Sequence, residues 1–328
     1  MSYDALFIVS FGGPDKPEDV MPFLENVTRG KRIPRERLEE VAEHYYHFGG
    51  KSPINEQVAE LIAALRVELA AHGLTLPVYL GNRNWDPYLA DTLRQMKADG
   101  VKRALAFVTS AWSSYSSCRQ YLDNIAEAQA AVGEGAPEIV RLRHFYNHAG
   151  FIEPMAGRVR DAYASLPEGL RETAPLLFTA HSIPMSMAQT CRYVEQLTEA
   201  CAATAKLAGR ESWRLVYQSR SGPPGQPWLE PDIGDALREV AAAGGKSAVV
   251  APIGFLSDHM EVVYDLDHEA AHLCEELGLT MARAGTVGTH PRFIEMIREL
   301  VEERMGGAEA SACAVGCCPP PAMHGRPA

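Results

Sequence analysis

Long apolar runs and a basic leader are both missing from this sequence of 328 residues. No apolar stretch approaches the ~18 residues that a helix needs to span a bilayer. The first residues, MSYDALFIVSFGG, have no basic flank, and their apolar run covers only Ala5–Val9. This pattern predicts a first β-strand rather than a signal peptide. We therefore expect a cytoplasmic protein without a membrane span.

Positive charge is also scarce. The chain has 31 Lys and Arg residues against 42 Asp and Glu residues, which gives a formal net charge of −11. So acidic a surface argues against nucleic acid as the main partner. Hydrophobic residues make up 46% of the chain and charged residues 22%, which is typical of a globular protein. At about 150 residues per domain, the length allows roughly two domains.

The motifs of several common enzyme classes are absent as well. The sequence contains no HExxH zinc motif, no Walker A loop, no GxGxxG fingerprint and no GxSxG elbow. Gly12 and Gly13 are too little to indicate a nucleotide site, and Ser182 beside His181 is too little to indicate a hydrolase. Motif matching therefore excludes the commonest nucleotide-binding and hydrolytic sites.

Eight short apolar runs alternate with amphipathic stretches. The runs are residues 5–10, 76–81, 103–109, 138–142, 176–181, 213–218, 247–253 and 280–284. This alternation predicts an α/β fold of two doubly wound, Rossmann-like lobes, each with a four-stranded parallel sheet. We place the lobes at residues 1–147 and 148–306, with the last helix, 291–306, packing back on the first lobe. Residues 307–328 are a Pro-rich and Gly-rich tail.

Polar residues that follow the strands are the candidates for chemistry, because ligands bind at the carboxyl ends of parallel strands. His181 ends the strand 176–181. The segment after the strand 247–253 contains Glu261, Asp265 and Glu269 at a spacing of four residues. In a helix these carboxylates form one ridge, which a wider π-type turn would align better. A solvated acidic face is the simpler interpretation, but the flanking apolar residues favour partial burial, and buried carboxylates need a cation or shared protons.

The cysteines number seven, an odd count. In a reducing compartment, a metal site is a better interpretation than disulfides. Cys313, Cys317 and Cys318 lie together in the tail, where a metal centre would pin an otherwise unstructured segment.

Eight segments, in order and spread over almost the whole chain, resemble the ferrochelatase family in its actinobacterial form. They are SFGGP (10–14), FLENVTR (23–29), FGGKSPIN (48–55), GNRNWDP (81–87), TSAWSSYSSC (109–118), FTAHSIP (178–184), QSRSGPPGQPWLEP (218–231) and residues 252–269. The resemblance implies a chelatase-like fold with a porphyrin cleft between the two lobes. It implies insertion of Fe(II) into coproporphyrin III. The product, coproheme, is then converted by a decarboxylase. We expect a monomer.

The family's catalytic roles map to a histidine and a row of acids. His181 corresponds to the active-site histidine that accepts pyrrole protons or touches the metal, and Glu261 to the carboxylate that faces it across the porphyrin slot. Asp265 and Glu269 correspond to a path behind Glu261 for metal or protons. A base with a pKa near neutrality is what proton removal requires, and histidine offers one.

The porphyrin contacts implied by the resemblance are less specific. They map to Phe11, Arg29, Ser52, Arg83, Asn84, Tyr121 and Trp228. Phe11 and Asn84 stand where some relatives have a tyrosine and a histidine, so an axial ligand from that side is removed. Trp85, Trp112, Met185 and Phe255 are further candidates for an apolar cleft wall, although aromatic residues belong more often to a core.

A [2Fe–2S] cluster is the second implication of the resemblance. Its ligands would be Cys118 and the tail cysteines Cys313, Cys317 and Cys318. Four thiolates suit zinc as well as an iron–sulfur cluster, and a tail without any metal is a third alternative.

Three other functions stay open on the residues alone. The protein could be a protoporphyrin IX ferrochelatase, a chelatase for cobalt or nickel, or a non-catalytic porphyrin or iron carrier with a two-lobed architecture.

Overall fold

The computed structural model describes residues 2–30, 33–222, 225–308 and 316–320. Two parallel four-stranded sheets organise the chain, which confirms the predicted fold class. The first sheet, in the order β2-β1-β3-β4, contains β1 (Ala5–Ser10), β2 (Val78–Asn82), β3 (Arg103–Val108) and β4 (Glu138–Arg141). The second, in the order β6-β5-β7-β8, contains β5 (Leu176–His181), β6 (Trp213–Gln218), β7 (Ser247–Ala251) and β8 (Thr280–Arg283). All eight predicted strands exist, and their observed bounds differ from the predicted ones by at most two residues.

Helices cover both faces of each sheet. In the first half they are α1 (Pro17–Val27), α2 (Arg35–His47), α3 (Ile54–Ala71), α4 (Leu89–Ala98) and α5 (Gln120–Val132), with a π-helix, π1 (Tyr115–Arg119), before α5. The second half has α6 (Ala149–Ser165), α7 (Glu168–Arg171), α8 (Met185–Ala188), α9 (Tyr193–Leu207), α10 (Ile233–Ala242), α11 (Met260–Val262), a second π-helix, π2 (Val263–Ala270), α12 (Ala271–Leu277) and α13 (Pro291–Met305). No helix in these ranges is long and apolar enough to cross a bilayer.

The strands are apolar throughout because both faces of each sheet are covered. Along β1, Leu6 and Ile8 belong to one core cluster, while Phe7 and Val9 belong to another on the opposite face. This alternation is the period of two that a β-strand imposes on its side chains. A sheet buried on both faces therefore shows no polar alternation in its sequence.

The largest core cluster joins the two sheets. It contains strand residues of both, including Leu6 of β1 and Phe178 of β5. Stacked and edge-on rings link them: the centroids of Phe107 and Phe145 lie 5.1 Å apart, and those of Phe145 and Phe293 lie 5.9 Å apart. The two sheets are thus held together by one continuous apolar interior.

Polar contacts also fix the second half against the first. The side chain of Gln57 in α3 donates to the carbonyl of Asp258 at 3.2 Å and accepts from its N–H at 2.8 Å. Helix α13 packs on α3 and α6, and Arg298, only 8% exposed, donates to Glu68 at 2.7 Å. The predicted lobe boundary at 147/148 falls in the loop before α6 and stays a prediction.

Candidate functional site

The ends of β5 and β6 and the loop after β7 meet at one edge of the second sheet. His181 pairs with Gln218 in register, each being the last residue of its strand. The loop after β7 comes close because Gly254 has no side chain: a Cβ there would lie 2.6 Å from the Cα of Ala180. The N–H of Gly254 donates to the carbonyl of Thr179 at 2.9 Å. Residues 254–261 are thereby brought over the end of β5.

His181 and Glu261 form the centre of this edge. The Nε2 atom of His181 lies 3.3 Å from an Oε1 oxygen of Glu261, and the Nδ1 atom contacts the carbonyl of Ser182. This carbonyl can only accept a hydrogen bond, so Nδ1 carries a proton and Nε2 is the atom available to Glu261. A flat ring needs contact distances of about 3.5 Å on each face. The distance of 3.3 Å leaves no room for a ring between the two groups, so the expectation that Glu261 faces His181 across the slot is wrong.

The two groups set each other's charge. Burial alone lowers the pKa of His181, but the charge and hydrogen bond of Glu261 outweigh it and raise this pKa to about 9. Burial raises the pKa of Glu261, and the charge and hydrogen bond of His181 outweigh it in turn, giving about 2. At neutral pH the pair is imidazolium and carboxylate. His181 therefore becomes a base only after something else neutralises Glu261.

Asp265 lies next to this pair, on π2. Burial, with the charges of Glu261 and Glu269, raises the pKa of Asp265 to about 7, although a hydrogen bond from Ser219 opposes this. The group with a pKa near neutrality is thus the carboxyl of Asp265 rather than the imidazole of His181. The sequence suggested a wider turn at this place, and the structure has one: π2 spans Val263–Ala270.

The last residue of β6, Gln218, and the next residue, Ser219, hold the main chain and a side chain of this acidic segment. The amide of Gln218, 1% exposed, donates to the carbonyl of Glu261 and lies 3.4 Å from Asp265 Oδ2. The hydroxyl of Ser219 donates to the same Oδ2 atom, and Ser219 adopts a φ of 61°, which is unusual for a residue with a side chain. Neither residue was predicted from the sequence as part of the site, although Gln218 ends a strand, as His181 does.

The remaining acid, Glu269, is exposed at the outer end of π2. Burial raises its pKa, and the nearby His268 opposes this shift. Glu261, Asp265 and Glu269 therefore form a ladder of carboxylates that leads from the half-exposed pair of His181 and Glu261 to the exposed end of π2.

Aromatic side chains from α1, α2 and the loop after β2 pack near the same acids. The ring of Phe23 makes edge contacts with Phe11, Tyr45 and Trp85, at centroid distances of 6.2, 6.0 and 6.1 Å. The charges of Glu261 and Asp265 contribute to a raised pKa of Tyr45, after burial as the main cause.

Two of the predicted porphyrin contacts are arginines, Arg83 and Arg29. Arg83 stacks over the ring of Tyr121 at 4.5 Å and lies 5.6 Å from that of Phe11, while its Nε donates to Asn124 at 2.9 Å. Arg29 is exposed. Both arginines belong to the first half of the chain.

Two other predicted porphyrin contacts, Ser52 and Asn84, already form hydrogen bonds within the protein. Ser52 is 3% exposed and accepts from the N–H of Ile54 at 3.4 Å, and Asn84 donates to the carbonyl of Phe11 at 3.3 Å. The indole N–H of Trp228 is buried without an acceptor among the described residues.

Two of the proposed wall residues belong to the core. Trp112 is 2% exposed and donates to the carbonyl of Gly254 at 3.0 Å, and Phe255 is 6% exposed. Both side chains are packed in the protein interior, and their place in a cleft wall stays a prediction. A large aromatic side chain is more often buried between elements than displayed to a ligand.

The predicted cysteine ligands are only partly within the described residues. Cys118, on π1, is buried and accepts from Arg141 Nη1 at 2.6 Å. Burial, then the nearby Cys118 and Cys317, raise the pKa of Cys318 to about 12. Cys313 lies outside the described residues. Among the residues described, no three His, Cys, Asp or Glu side chains are arranged as a metal-binding group.

Comparison with known proteins gives consistent matches. A model of the family "Ferrochelatase" matches residues 3–305. A "Ferrochelatase" of Rhodopirellula baltica is 56% identical over 99% of this chain and 97% of its own. Proteins named "Coproporphyrin III ferrochelatase" from Mycolicibacterium smegmatis and Streptomyces coelicolor are 53% and 51% identical, covering 94% and 99% of this chain and 91% and 95% of theirs.

Solved structures agree at the level of the fold. SirB from Bacillus subtilis with Fe³⁺ has a TM-score of 0.59 at 11% identity, covering 94% of this chain and 99% of its own. The sirohydrochlorin chelatase SirB from Bacillus subtilis subspecies spizizenii, in complex with cobalt, has a TM-score of 0.53 at 13% identity, covering 93% and 98%. At these identities the likeness concerns architecture alone.

Proposed function

The chain belongs to the ferrochelatase family, and from this premise we propose that it inserts Fe(II) into coproporphyrin III to give coproheme. One Fe²⁺ ion enters the ring and two pyrrole protons leave. The observation that carries the proposal is the contact between His181 and Glu261, 3.3 Å apart at the carboxyl end of β5, with Asp265 beside them. Relatives about 50% identical carry the name of this activity.

Glu261 is the group ready to meet the metal ion. It is a carboxylate at neutral pH, because its pKa is about 2, and carboxylate oxygen is a good ligand for a hydrated divalent cation. Once Fe²⁺ neutralises Glu261, His181 loses the charge that holds its proton. The pKa of His181 then falls toward the range set by burial, and the imidazole becomes able to accept a pyrrole proton.

The protons need a route to water. Asp265, with a pKa of about 7, can both accept and release a proton at neutral pH. Glu269 lies beyond it at the exposed end of π2. His181 first passes its own imidazolium proton to Asp265, which releases it through Glu269. The neutral imidazole then accepts the two pyrrole protons in turn, and each passes on through Asp265 before the next arrives. His181 takes up a proton from water again once the metal ion has left Glu261. Two protons thus leave for each Fe²⁺ that enters.

The relatives' names indicate the substrate class, and its charge sets a requirement on the site. Coproporphyrin III carries four carboxylates, which a chain of net charge −11 must meet with local positive charge. We assign this role to Arg29 and Arg83, with Ser52 and Tyr121 as neighbours. Arg83 is held by Tyr121 and Asn124, so its position is fixed before the substrate arrives.

Anaerobic metalation assays test this assignment. Purified protein is given Fe²⁺ with either coproporphyrin III or protoporphyrin IX, and we expect faster insertion into coproporphyrin III. Faster insertion into protoporphyrin IX would replace the proposed substrate. His181→Ala and Glu261→Gln should each abolish insertion, while His72→Ala, at an exposed position directly after α3, serves as the matched control. A His181→Ala protein that metalates porphyrin at the normal rate contradicts the role of His181, whereas a wild-type protein that binds porphyrin without accelerating metalation favours a carrier.

The tail supports a second proposal, a [2Fe–2S] cluster bound by Cys118, Cys313, Cys317 and Cys318. The described thiols fit it in part, since the charges of Cys118 and Cys317 act on Cys318 and the guanidinium of Arg141 donates to Cys118. A bound cluster would be an electron-accepting centre that ties the tail to π1.

Iron and sulfide analysis decides this second proposal. The protein should contain about two of each per chain and show visible absorption that dithionite bleaches. Cys118→Ser should lose the cluster, whereas Cys274→Ser, a buried cysteine on α12, should keep it. Zinc without sulfide, or no metal, contradicts the cluster.

Three further assignments accompany the reaction. We place the protein in the cytoplasm as a monomer, with residues 1–147 and 148–306 as its lobes. A decarboxylase that consumes coproheme is its expected downstream partner.

A further inference from the structure

The segment that carries Glu261 and Asp265 is densely negative. Residues 258–269 contain five carboxyl groups, those of Asp258, Glu261, Asp265, Asp267 and Glu269. No lysine or arginine occurs in the sequence between Lys246 and Arg283. Like charges at such a spacing repel one another. To stay compact, the segment therefore needs a positive charge from elsewhere in the fold, and the mechanism above gives no role to Asp258 or Asp267.

Arg283, the last residue of β8, brings a positive charge to this segment. Its Nη1 atom donates to Asp258 Oδ1 at 2.9 Å. Its Nε atom donates to one carboxyl oxygen of Asp267, and its Nη2 atom donates to the other at 2.9 Å. Two parallel bonds of this kind are the geometry in which a guanidinium binds a carboxylate most strongly. We call the contact of Arg283 with Asp258 and Asp267 the arginine clamp.

The arginine clamp is partly shielded from water. The side chain of Arg283 is 18% exposed, and those of Asp258 and Asp267 are each about one-third exposed. The backbone of Arg283 is fixed because it pairs with Val250 at the end of the β7–β8 ladder. Isolated ion pairs on an open surface contribute little, whereas a bidentate pair within a network contributes more. The arginine clamp therefore has the geometry of a structural support.

The two acids of the clamp lie on either side of the residues that the mechanism uses. Asp258 precedes Glu261 by three residues, and Asp267 follows Asp265 by two. Because one guanidinium binds both acids, the start and the end of this stretch are held together. The main chain of Asp258 is also bound to the side chain of Gln57, from the first half of the chain. Glu261 thus keeps its place relative to both halves.

We propose that Arg283 is a positioning residue for metal insertion. By binding Asp258 and Asp267 together, it offsets the repulsion within the segment and keeps Glu261 and Asp265 at their observed places. The inference rests on the proposed function, in which Glu261 meets Fe²⁺ and Asp265 carries protons. A displacement of about 1 Å at such a group can lower a rate by about a hundredfold, so the arginine clamp acts on the reaction through the acids it holds.

Steady-state metalation by Arg283→Met tests this role in the full-length protein. We expect kcat to fall by about tenfold or more and KM for the porphyrin to change by less than about twofold, because the guanidinium binds acids of the protein. Arg283→Lys should not restore kcat, since an ammonium group cannot reproduce the two-pronged contact. Arg214→Met, which breaks an exposed ion pair with Glu239, is the matched control and should leave both constants unchanged.

Three kinetic results would overturn the proposal. The first is an unchanged kcat for Arg283→Met. The second is full recovery of kcat in Arg283→Lys, which would mean that charge alone is sufficient. The third is a raised KM for the porphyrin with an unchanged kcat, which would make Arg283 a binding residue.

Removal of both acids separates positioning from other effects of the arginine. The double variant Asp258→Asn with Asp267→Asn takes away the partners of Arg283 and should lower kcat as well. Adding Arg283→Met to it should cause little further loss, because the clamp is already absent. A further loss as large as that in the wild-type background contradicts the proposal. If Arg283→Met does not fold, the double variant decides alone, and an unchanged kcat overturns the positioning role.

Hydrogen–deuterium exchange gives a readout that needs neither porphyrin nor metal. In Arg283→Met, the amides of residues 258–270 should exchange faster by about tenfold or more, whereas Arg214→Met should match the wild type. Equal exchange in Arg283→Met and the wild type overturns the proposal. If the wild-type protein metalates no porphyrin, the proposed function fails on that result, and exchange still decides whether Arg283 holds the segment.

Discussion

Replacing Asp265 by Asn should change the way in which stability depends on pH. The wild-type protein must place a charge on this buried carboxyl group above pH 7, close to Glu261 and Glu269, with Ser219 and His181 as the opposing influences. In the unfolded chain the same group ionises near its ordinary pKa of 3.8. Between these two values the folded state binds more protons than the unfolded state, so the free energy of unfolding falls as the pH rises.

The size of this effect follows from the two pKa values. The penalty is absent well below pH 4, grows through pH 5 and 6, and levels off above pH 7. Between pH 5 and pH 8 it amounts to about 2.5 kcal/mol. The Asp265→Asn protein has no charge to bury, and its amide oxygen can still accept the hydrogen bond from Ser219, so the pH-dependent penalty is absent.

Urea unfolding at pH 5, 6, 7 and 8, followed by tryptophan fluorescence, measures the difference between the two proteins. The stability of Asp265→Asn relative to wild type should increase steadily from pH 5 to pH 8. Asp161→Asn, at an exposed position on α6, is the matched control and should show no such trend. A difference that stays constant with pH, or that shrinks as the pH rises, refutes the view that Asp265 is a buried group ionising near neutrality.

Three further substitutions test other parts of the structure. Ser219→Ala removes a donor that favours the charged carboxylate of Asp265, so the pH–rate profile of metalation should shift upward by about half a unit, and a downward shift contradicts this role. Gln57→Ala breaks both bonds to the main chain of Asp258 and should cost about 1–2 kcal/mol in urea unfolding; an unchanged midpoint means that these bonds add nothing between the halves. Leu65→Ala empties a fully buried position of α3 and should cost about 2–5 kcal/mol, whereas a loss below about 1 kcal/mol implies that the core refills the space.

The architecture was predictable because burial on both faces of a sheet leaves a direct trace in the sequence. Each strand is a short continuous apolar run, as in Ala5–Ser10, where all six residues are buried. The bounds of β7 were less predictable, since Pro252 and Ile253 continue the apolar run after the ladder has ended. Apolar composition reports burial, whereas strand pairing depends on backbone partners that the sequence does not display.

The candidate site was predictable only where it depends on position along a strand or helix. His181 ends β5, and the spacing of the acids from Glu261 onward indicated a shared helix face. Contacts between distant segments left no local signal. The hydrogen bond from Ser219 to Asp265 needs a left-handed backbone conformation at a residue that is not glycine. The stacking of His44 on Tyr264 joins segments more than 200 residues apart.

The π-helices occur at matching places in the two halves of the chain. One follows β3 and carries Cys118, and the other follows β7 and carries Asp265. The strand orders of the two sheets also correspond, so a π-helix stands at an equivalent position in each half. It carries a sulfur atom, that of Cys118, in the first half and carboxyl oxygens, those of Asp265, in the second. Sulfur and oxygen donors prefer different metal ions and oxidation states. In the proposed function, these matching positions keep a sulfur donor to the cluster apart from an oxygen donor beside the Fe(II) site within one polypeptide.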